Sequence, residues 1–283
     1  MGIERVGIVG GGQMGSGIAE VCVRAGVDTV VIEASDALAA GARARVEGSM
    51  AKAVERGKLT AENRVASLAR FRASARLDDL ADRQLIIEAV VEDRDVKRDL
   101  FGRVDAIAAE GAVLASNTSS IPIVELATAT TRPDRVVGLH FFNPVPVMRL
   151  VEVIPSLLTD PGTVDAVTEF ASGTLGKTVV RAVDRAGFVV NALLIPYLID
   201  AVRMLEAGHA TREDIDAAMT LGAAHPMGPL ALCDLIGNDT VAAVAESLYE
   251  EFREPRFSPP ALLRRMVTGG LLGRKTGQGF YQY

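Results

Sequence analysis

Three glycines near the start of the chain and one histidine halfway along it are the residues best able to support chemistry. Gly10, Gly12 and Gly15 stand at G-x-G-x-x-G spacing within RVGIVGGGQMGSGIAEVCVRAGVDTVVIE, residues 5–33. The apolar run 6–9 leads into them, a helix-compatible segment 14–25 follows, and a second apolar run, 30–32, ends at Glu33. A strand–turn–helix–strand of this size is one βαβ unit. The first glycine permits the tight turn, the second lets a diphosphate approach the backbone, and the third lets helix and strand pack closely. The diphosphate would lie on the N–H groups at the positive end of the helix. Glu33 stands where a carboxylate accepts both adenosine-ribose hydroxyls and repels a 2′-phosphate. NAD is the expected cofactor.

A dinucleotide site with no cysteine nucleophile and no metal-ligand spacing points to hydride transfer, and no metal is expected. Oxidising an alcohol also needs a base for the hydroxyl proton. Among the three histidines, His209 lies in a Glu-Ala-Gly-His-Ala turn and His225 precedes Pro226, and both read as structural. His140 instead ends an apolar strand and precedes Phe141-Phe142-Asn143-Pro144, while Glu152 on the next strand could hydrogen-bond its imidazole. Spacing alone leaves two readings of His140 open, a satisfied core histidine and a base.

Positioning these groups requires a sheet. Ser35 can cap a long helix running to about Arg56, whose face carries Arg43, Arg45, Ser49, Lys52 and Arg56; by pattern alone this is a solvated surface. Residues 85–91 (LIIEAVV) read as a buried strand running into Glu92 and Asp93, followed by helix 95–109 and strand 113–116. Segments 135–142 and 149–154 read as two further strands, then helix 163–175 and strand 178–183. Strands and helices that alternate in this way form a doubly wound sheet, with ligands at the C-terminal ends of the strands. From Gly187 onward only helical patterns remain, at 188–207, 212–221, 229–235, 239–252 and 259–267, and the glycine-rich tail reads as a loop. The expected fold is α/β: a Rossmann-like domain, 1–185, followed by an all-helical domain, 186–283.

Length and composition agree with two ordinary globular domains: 283 residues, 49% hydrophobic and 23% charged. The net charge of −6 argues against a general nucleic-acid binder. No apolar run approaches the ~18 residues of a membrane span, and the first strand begins at once, so neither a membrane anchor nor a signal peptide is expected. Cys22 and Cys233 suggest no disulfide, which points to the cytoplasm.

Asn117-Thr118-Ser119-Ser120, GLHFFNPVPVMRLVEV at 138–153, Gly187-Phe188-Val189-Val190-Asn191, HPMGP at 225–229 and KTGQGFY at 275–281 together resemble the 3-hydroxyacyl-CoA dehydrogenase family. The likeness runs from the first strand to the C-terminus and is strongest to the short, stand-alone bacterial 3-hydroxybutyryl-CoA dehydrogenases. It implies reversible oxidation of an (S)-3-hydroxyacyl-CoA with NAD⁺. On that likeness His140 is the base and Glu152 its orienting carboxylate, with Ser119, Asn143 and Asn191 at the reacting thioester. Cofactor contacts carry over to Gly10, Gly11, Gly12, Gln13, Met14, Gly15, Glu33, Glu92, Lys97, Ser119, Asn143 and Lys275. Coenzyme A contacts carry over to Ser49, Arg56, Lys97 and Ser119, with Lys52 on the same basic helix face. The resemblance also implies a homodimer formed through the helical domain, an acyl-CoA thioester as partner, and no role for nucleic acid or membrane.

Four positions depart from the family pattern. Arg56 replaces a frequent lysine, Arg185-Ala186 stands where Thr-Pro is common, and Ala192 replaces a common arginine. Two rival readings are a same-fold dehydrogenase of a sugar acid (gulonate-type) and a non-catalytic NAD-binding structural protein. The basic helix face argues against the first, and an intact His140–Glu152 pair against the second.

Overall fold

Four of the five residues of β1 (Arg5–Val9) are buried, as expected of a strand inside a sheet rather than at its edge. In the computed structural model, which describes residues 2–283, β1 pairs in parallel with β2 (Asp28–Ile32) on one side and β4 (Leu85–Glu88) on the other. The described residues fall into two compact units, one ending at Asp184 and one spanning Arg185–Tyr283.

The first unit adds β3 (Phe71–Ser74), β5 (Val113–Ser116), β6 (Val136–Phe141), β7 (Leu150–Pro155) and β8 (Thr178–Arg181). Across the described residues these eight strands form one sheet in the order β3-β2-β1-β4-β5-β6-β7-β8. The chain moves outward from β1 to β3 and then returns to β4 on the opposite side of β1. That reversal is the topological switch point, where a doubly wound sheet opens a crevice. The β6–β7 pair is antiparallel, so it closes as a hairpin and sets His140 directly opposite Glu152.

Helices cover the sheet: α1 (Gln13–Arg24), α2 (Asp36–Glu55), α3 (Ala61–Leu68), α4 (Arg94–Asp105), α5 (Ile123–Ala127) and α6 (Pro161–Glu169). Ile18, Ala19, Cys22 and Val23 form the buried stripe of α1, at the spacing of one helical face. Caps place the helix starts. Ser35 accepts from the Leu38 N–H at 3.3 Å for α2, and Asp93 accepts from the Val96 N–H at 2.9 Å for α4. The short α5 is capped from far away, because Asp184 accepts the N–H groups of Ile123 and Val124 at 2.7 and 2.9 Å.

Several boundaries differ from the sequence expectation. The strand expected over 85–91 stops at Glu88, whose carboxylate takes the Val90 N–H at 2.8 Å and turns the chain off the sheet. The helix expected to 109 ends at Asp105, and the segment expected over 163–175 is α6 continued by a wider π turn, Phe170–Thr174. Residues 57–84, which carry no periodic pattern, supply α3 and β3.

The second unit contains α7 (Val190–Glu206), α8 (Arg212–Ala217), α9 (Pro229–Ile236), α10 (Asn238–Phe252) and α11 (Ala261–Thr268). Ile195, Leu198, Ile199 and Val202 of α7 pack with Leu230, Cys233, Val241, Leu248 and Leu263 in a core of their own. Asp234 straps the C-terminal tail onto this core by accepting the Phe280 and Tyr281 N–H groups at 2.9 and 2.8 Å. At the start of the unit Ala186, where proline is common in the resembled family, keeps an N–H that donates to Glu251 at 2.6 Å. Arg185 meets the same carboxylate at 3.2 Å and lies 4.5 Å over the Phe252 ring. The two departures thus form one clamp that Thr-Pro could not make. No described helix is long and apolar enough to cross a membrane.

Candidate active site

The glycine turn is shaped by steric exclusion. Gly10 sits at φ 95°, and a Cβ there would stand 2.6 Å from the Ala89 carbonyl oxygen. A Cβ on Gly15 would collide with the Gly10 carbonyl oxygen, so α1 can approach the turn only with glycine at that position. Gly12 is different: a Cβ there would meet nothing within 4 Å, and Gly12 supplies no side-chain cap to α1. The turn therefore presents an open face at a helix N-terminus, which fits a diphosphate. The Gly11 peptide is locked from both sides. Its N–H donates to Glu33 Oε1 at 2.8 Å, and its carbonyl accepts from Ser16 Oγ at 2.7 Å and Arg45 Nε at 2.9 Å. Glu33 is thereby fixed at the end of β2, beside the switch point. Arg45 read as a surface charge in the sequence; only the fold shows its hold on the turn.

On the other side of β1, the ends of β4 and β5 carry a connected polar network. Glu92 Oε1 accepts from Thr118 Oγ1 at 2.5 Å, the Ser119 N–H at 3.1 Å and Ser120 Oγ at 3.0 Å, so one carboxylate shapes the loop bearing Ser119. Its Oε2 meets Lys97 Nζ at 2.9 Å. Burial opposes ionisation of Glu92, but Lys97 and these hydrogen bonds outweigh it and hold the carboxyl below the ordinary carboxylate range. Lys97 is only 1% exposed, and its ammonium lies between Glu92 and Glu88. It orders carboxylates rather than presenting a cation to a solvent-borne phosphate.

His140 and Glu152 face each other across the β6–β7 hairpin, with Nδ1 2.8 Å from Glu152 Oε2. Directly opposed residues of an antiparallel pair have their Cβ atoms ~5 Å apart, so this contact follows from register alone. The pair is buried, His140 at 6% and Glu152 at 0% exposure. A carboxylate on Nδ1 fixes the tautomer with its proton there and the lone pair on Nε2. Beside His140, the Phe141 N–H donates to Asn117 Oδ1 at 2.9 Å, which ties the strand to the β5 loop.

The loop after β6 reaches back to the glycine turn, where Gln13 Nε2 donates to Asn143 Oδ1 at 3.1 Å. Lys177, at the entry to β8, holds that loop by donating to the Val145 and Met148 carbonyls, each at 2.7 Å. Burial and the repulsion of Arg24 lower the Lys177 pKa. Lys177 and Glu88 complete the set of polar residues that sequence patterns passed over.

Within the first unit the structure thus brings the glycine turn, Met14, Glu33, Asn143, Ser119, Glu92, Lys97 and the His140–Glu152 pair to the C-terminal edge of one sheet. Ser49 and Lys52 of α2 and Arg56, the residue just past its end, are exposed and make no side-chain hydrogen bond or ion pair among the described residues. Asn191 and Lys275 belong to the second unit, Asn191 in the first turn of α7 and Lys275 with its Nζ 2.5 Å from Asp239. In the same unit His225 Nδ1 meets Tyr197 OH at 3.1 Å, and His209 is exposed in a turn. No described group of three or more His, Cys, Asp or Glu could hold a metal ion.

Comparison with known proteins agrees with this fold. A 3-hydroxybutyryl-CoA dehydrogenase of Mycobacterium tuberculosis is 55% identical over 282 residues, covering 99% of each chain. One from Bradyrhizobium diazoefficiens is 45% identical, over 99% of this chain and 96% of its own length. The crystal structure of (S)-3-hydroxybutyryl-CoA dehydrogenase from Ralstonia eutropha superposes with a TM-score of 0.95 at 46% identity, covering 99% of both chains. Residues 5–185 match the NAD-binding domain of 3-hydroxyacyl-CoA dehydrogenases and residues 187–283 match their C-terminal domain, so the chain belongs to the 3-hydroxyacyl-CoA dehydrogenase family.

Proposed function

We propose that this chain interconverts (S)-3-hydroxybutyryl-CoA and acetoacetyl-CoA with NAD(H), using His140 as the base. The observation that carries the reading is the buried 2.8 Å contact of His140 with Glu152 on the sheet edge that also holds the glycine turn. NAD⁺ supplies a hydride acceptor when bound. Nε2 of His140 takes the proton of the 3-hydroxyl, and Glu152 accommodates the positive charge that then forms on the ring. In the reverse direction the same nitrogen returns the proton to the carbonyl oxygen. Ser119, Asn143 and Asn191 fix the substrate oxygens. Ser49, Lys52 and Arg56 take the coenzyme A phosphates, and Lys97 acts on the cofactor side of the site through Glu92. Gly10 to Gly15, Glu33, Glu92 and Lys275 hold the cofactor. The first unit, to about residue 185, carries the cofactor contacts other than Lys275, and the helical unit adds substrate contacts and the subunit interface. The buried thiols of Cys22 and Cys233 suit a reducing compartment, the cytoplasm.

The test is NADH-dependent reduction of acetoacetyl-CoA by the purified chain, followed by nicotinamide absorbance, beside gulonate with NAD⁺. Turnover of gulonate with none of acetoacetyl-CoA would return the chain to the sugar-acid reading. The same assay with NADPH tests Glu33. A 2′-phosphate facing the fixed carboxylate should lower kcat/KM on the order of 10²-fold, and equal use of both cofactors would mean that Arg45 accommodates the phosphate.

The helical unit leaves Leu193 and Met204 of α7, together with Leu221 and Leu235, exposed. A second copy covering these residues would bury them, giving a homodimer. Light scattering at micromolar concentration should report twice the chain mass; a monomer would overturn the assignment.

A further inference from the structure

Neither the glycine turn nor the His140–Glu152 pair uses Glu88, a carboxylate only 3% exposed at the last position of β4. It lies between Val9 of β1 and Ser116 of β5 in the sheet register, one residue from the peptide that packs on Gly10. Its oxygens accept from the Val90 N–H at 2.8 Å, Lys97 Nζ at 2.7 Å and Ser116 Oγ at 2.6 Å. Lys97 passes the contact on to Glu92. Two carboxylates and one ammonium in contact leave the group with a net charge of about −1. Removing Glu88 would leave Lys97 and Glu92 as a neutral pair.

Where this charge stands decides what it acts on. The diphosphate belongs at the start of α1, and Glu33 marks the adenosine side at β2. The nicotinamide half therefore runs to the opposite side of β1, over the ends of β4 and β5. Glu88 and the Glu92 loop line that side. Merely filling the end of β4 needs no ions, since buried ion pairs rarely stabilise more than apolar packing of the same volume.

We propose that Glu88 is a positioning residue of the cofactor site: it holds Lys97 against Glu92 and leaves one uncompensated negative charge under the nicotinamide half, so that the site favours the oxidised, cationic ring over the neutral reduced one. The two cofactor forms share every other charged group, so the network acts on the difference between their affinities. The inference rests on the cofactor assignment and is independent of the acyl substrate.

Dissociation constants of NAD⁺ and NADH, measured by titration calorimetry on the full chain, test it. Glu88→Gln keeps the shape and an acceptor for Lys97 but removes the charge. It should weaken NAD⁺ by roughly 10-fold, the scale of one charge acting across ~10 Å of partly screened protein, and NADH by less than about 3-fold. Glu88→Asp keeps the charge on a shorter stem, so both affinities should fall together and their ratio should stay at the wild-type value. Equal weakening of both forms by Glu88→Gln, or an unchanged pair of constants, would overturn the proposal. If the glutamine variant does not fold, the aspartate ratio decides alone: retained, it supports the proposal, and shifted, it overturns it. Failure of the wild-type chain to bind either nucleotide would instead sink the cofactor assignment itself.

Discussion

Replacing His140 with Gln should lower kcat for acetoacetyl-CoA reduction by ~10²–10⁴-fold, the usual contribution of general acid–base catalysis, while NADH binding stays near the wild-type value. The separation follows from the structure. His140 lies on β6, whereas the residues proposed to hold the diphosphate and the adenosine ribose lie on the β1–α1 turn and at the end of β2. Glutamine remains polar but cannot carry the proton, so the loss falls on the chemical step. Glu152→Gln should cost less, because the base survives and only its tautomer and charge partner are disturbed. The double variant should lose less than the product of the two single losses, since residues acting as one unit are not additive. Single-turnover reduction with NADH binding measured separately is the decisive experiment. A chemical step within a few-fold of wild type would remove His140 from the mechanism and shift attention to Ser119.

The glycine turn yields a second large effect, and a contrast that identifies its cause. Gly12→Val should leave the fold nearly intact, because Gly12 has φ −64° and the space beside it is open. Its Tm should fall by no more than ~4 °C, the scale of a poorer helix cap. NADH affinity should fall on the order of 10²-fold or more, since the new side chain would stand over the helix start and forfeit about two charge-assisted hydrogen bonds to the diphosphate. Gly15→Ala should do the reverse. Its one added methyl meets the Gly10 backbone, which has no soft side chain to move aside, so Tm should drop by ~6–12 °C for the ~3 kcal/mol of overpacking. Thermal melts and NADH titration of both variants separate the cases. A Gly12 variant that binds NADH normally would remove the diphosphate from that face of the turn.

Much of this arrangement was legible in the sequence, and the omissions have physical reasons. The glycine spacing, the apolar runs around it and the alternation of strands with helices describe the sheet because each buried element carries its own periodic signal. β3 carries none: it is a short edge strand in which only Phe71 is fully buried. α5 is equally silent, having five residues and a cap supplied by Asp184, about sixty positions away. At the candidate site, the His140–Glu152 contact could be anticipated because a hairpin makes a distant pair local. Lys97 could not be read in the same way. Its helix is highly charged and looks solvent-facing, and only the fold brings Glu88 at the end of β4 to meet it, with Ser116 of β5 holding the other oxygen of that carboxylate. Glu88 itself sits inside an apolar run that reads as one strand, so its role in ending β4 is hidden until the fold is known.

The antiparallel register of β6 and β7 also sets which changes of length the gene can tolerate. His140 and Glu152 are 12 positions apart and share a face only because each stands in an unbroken alternation of side chains. One codon inserted within 150–152 would turn Glu152 to the other face of the sheet, while every residue type in the hairpin stayed the same. The same codon placed in the loop would leave the pair untouched, but only outside the stretch that Lys177 grips at the Val145 and Met148 carbonyls. Insertions and deletions in this hairpin are thus admitted at very few places. Parity, a property of counting rather than of composition, is what keeps the carboxylate beside the imidazole.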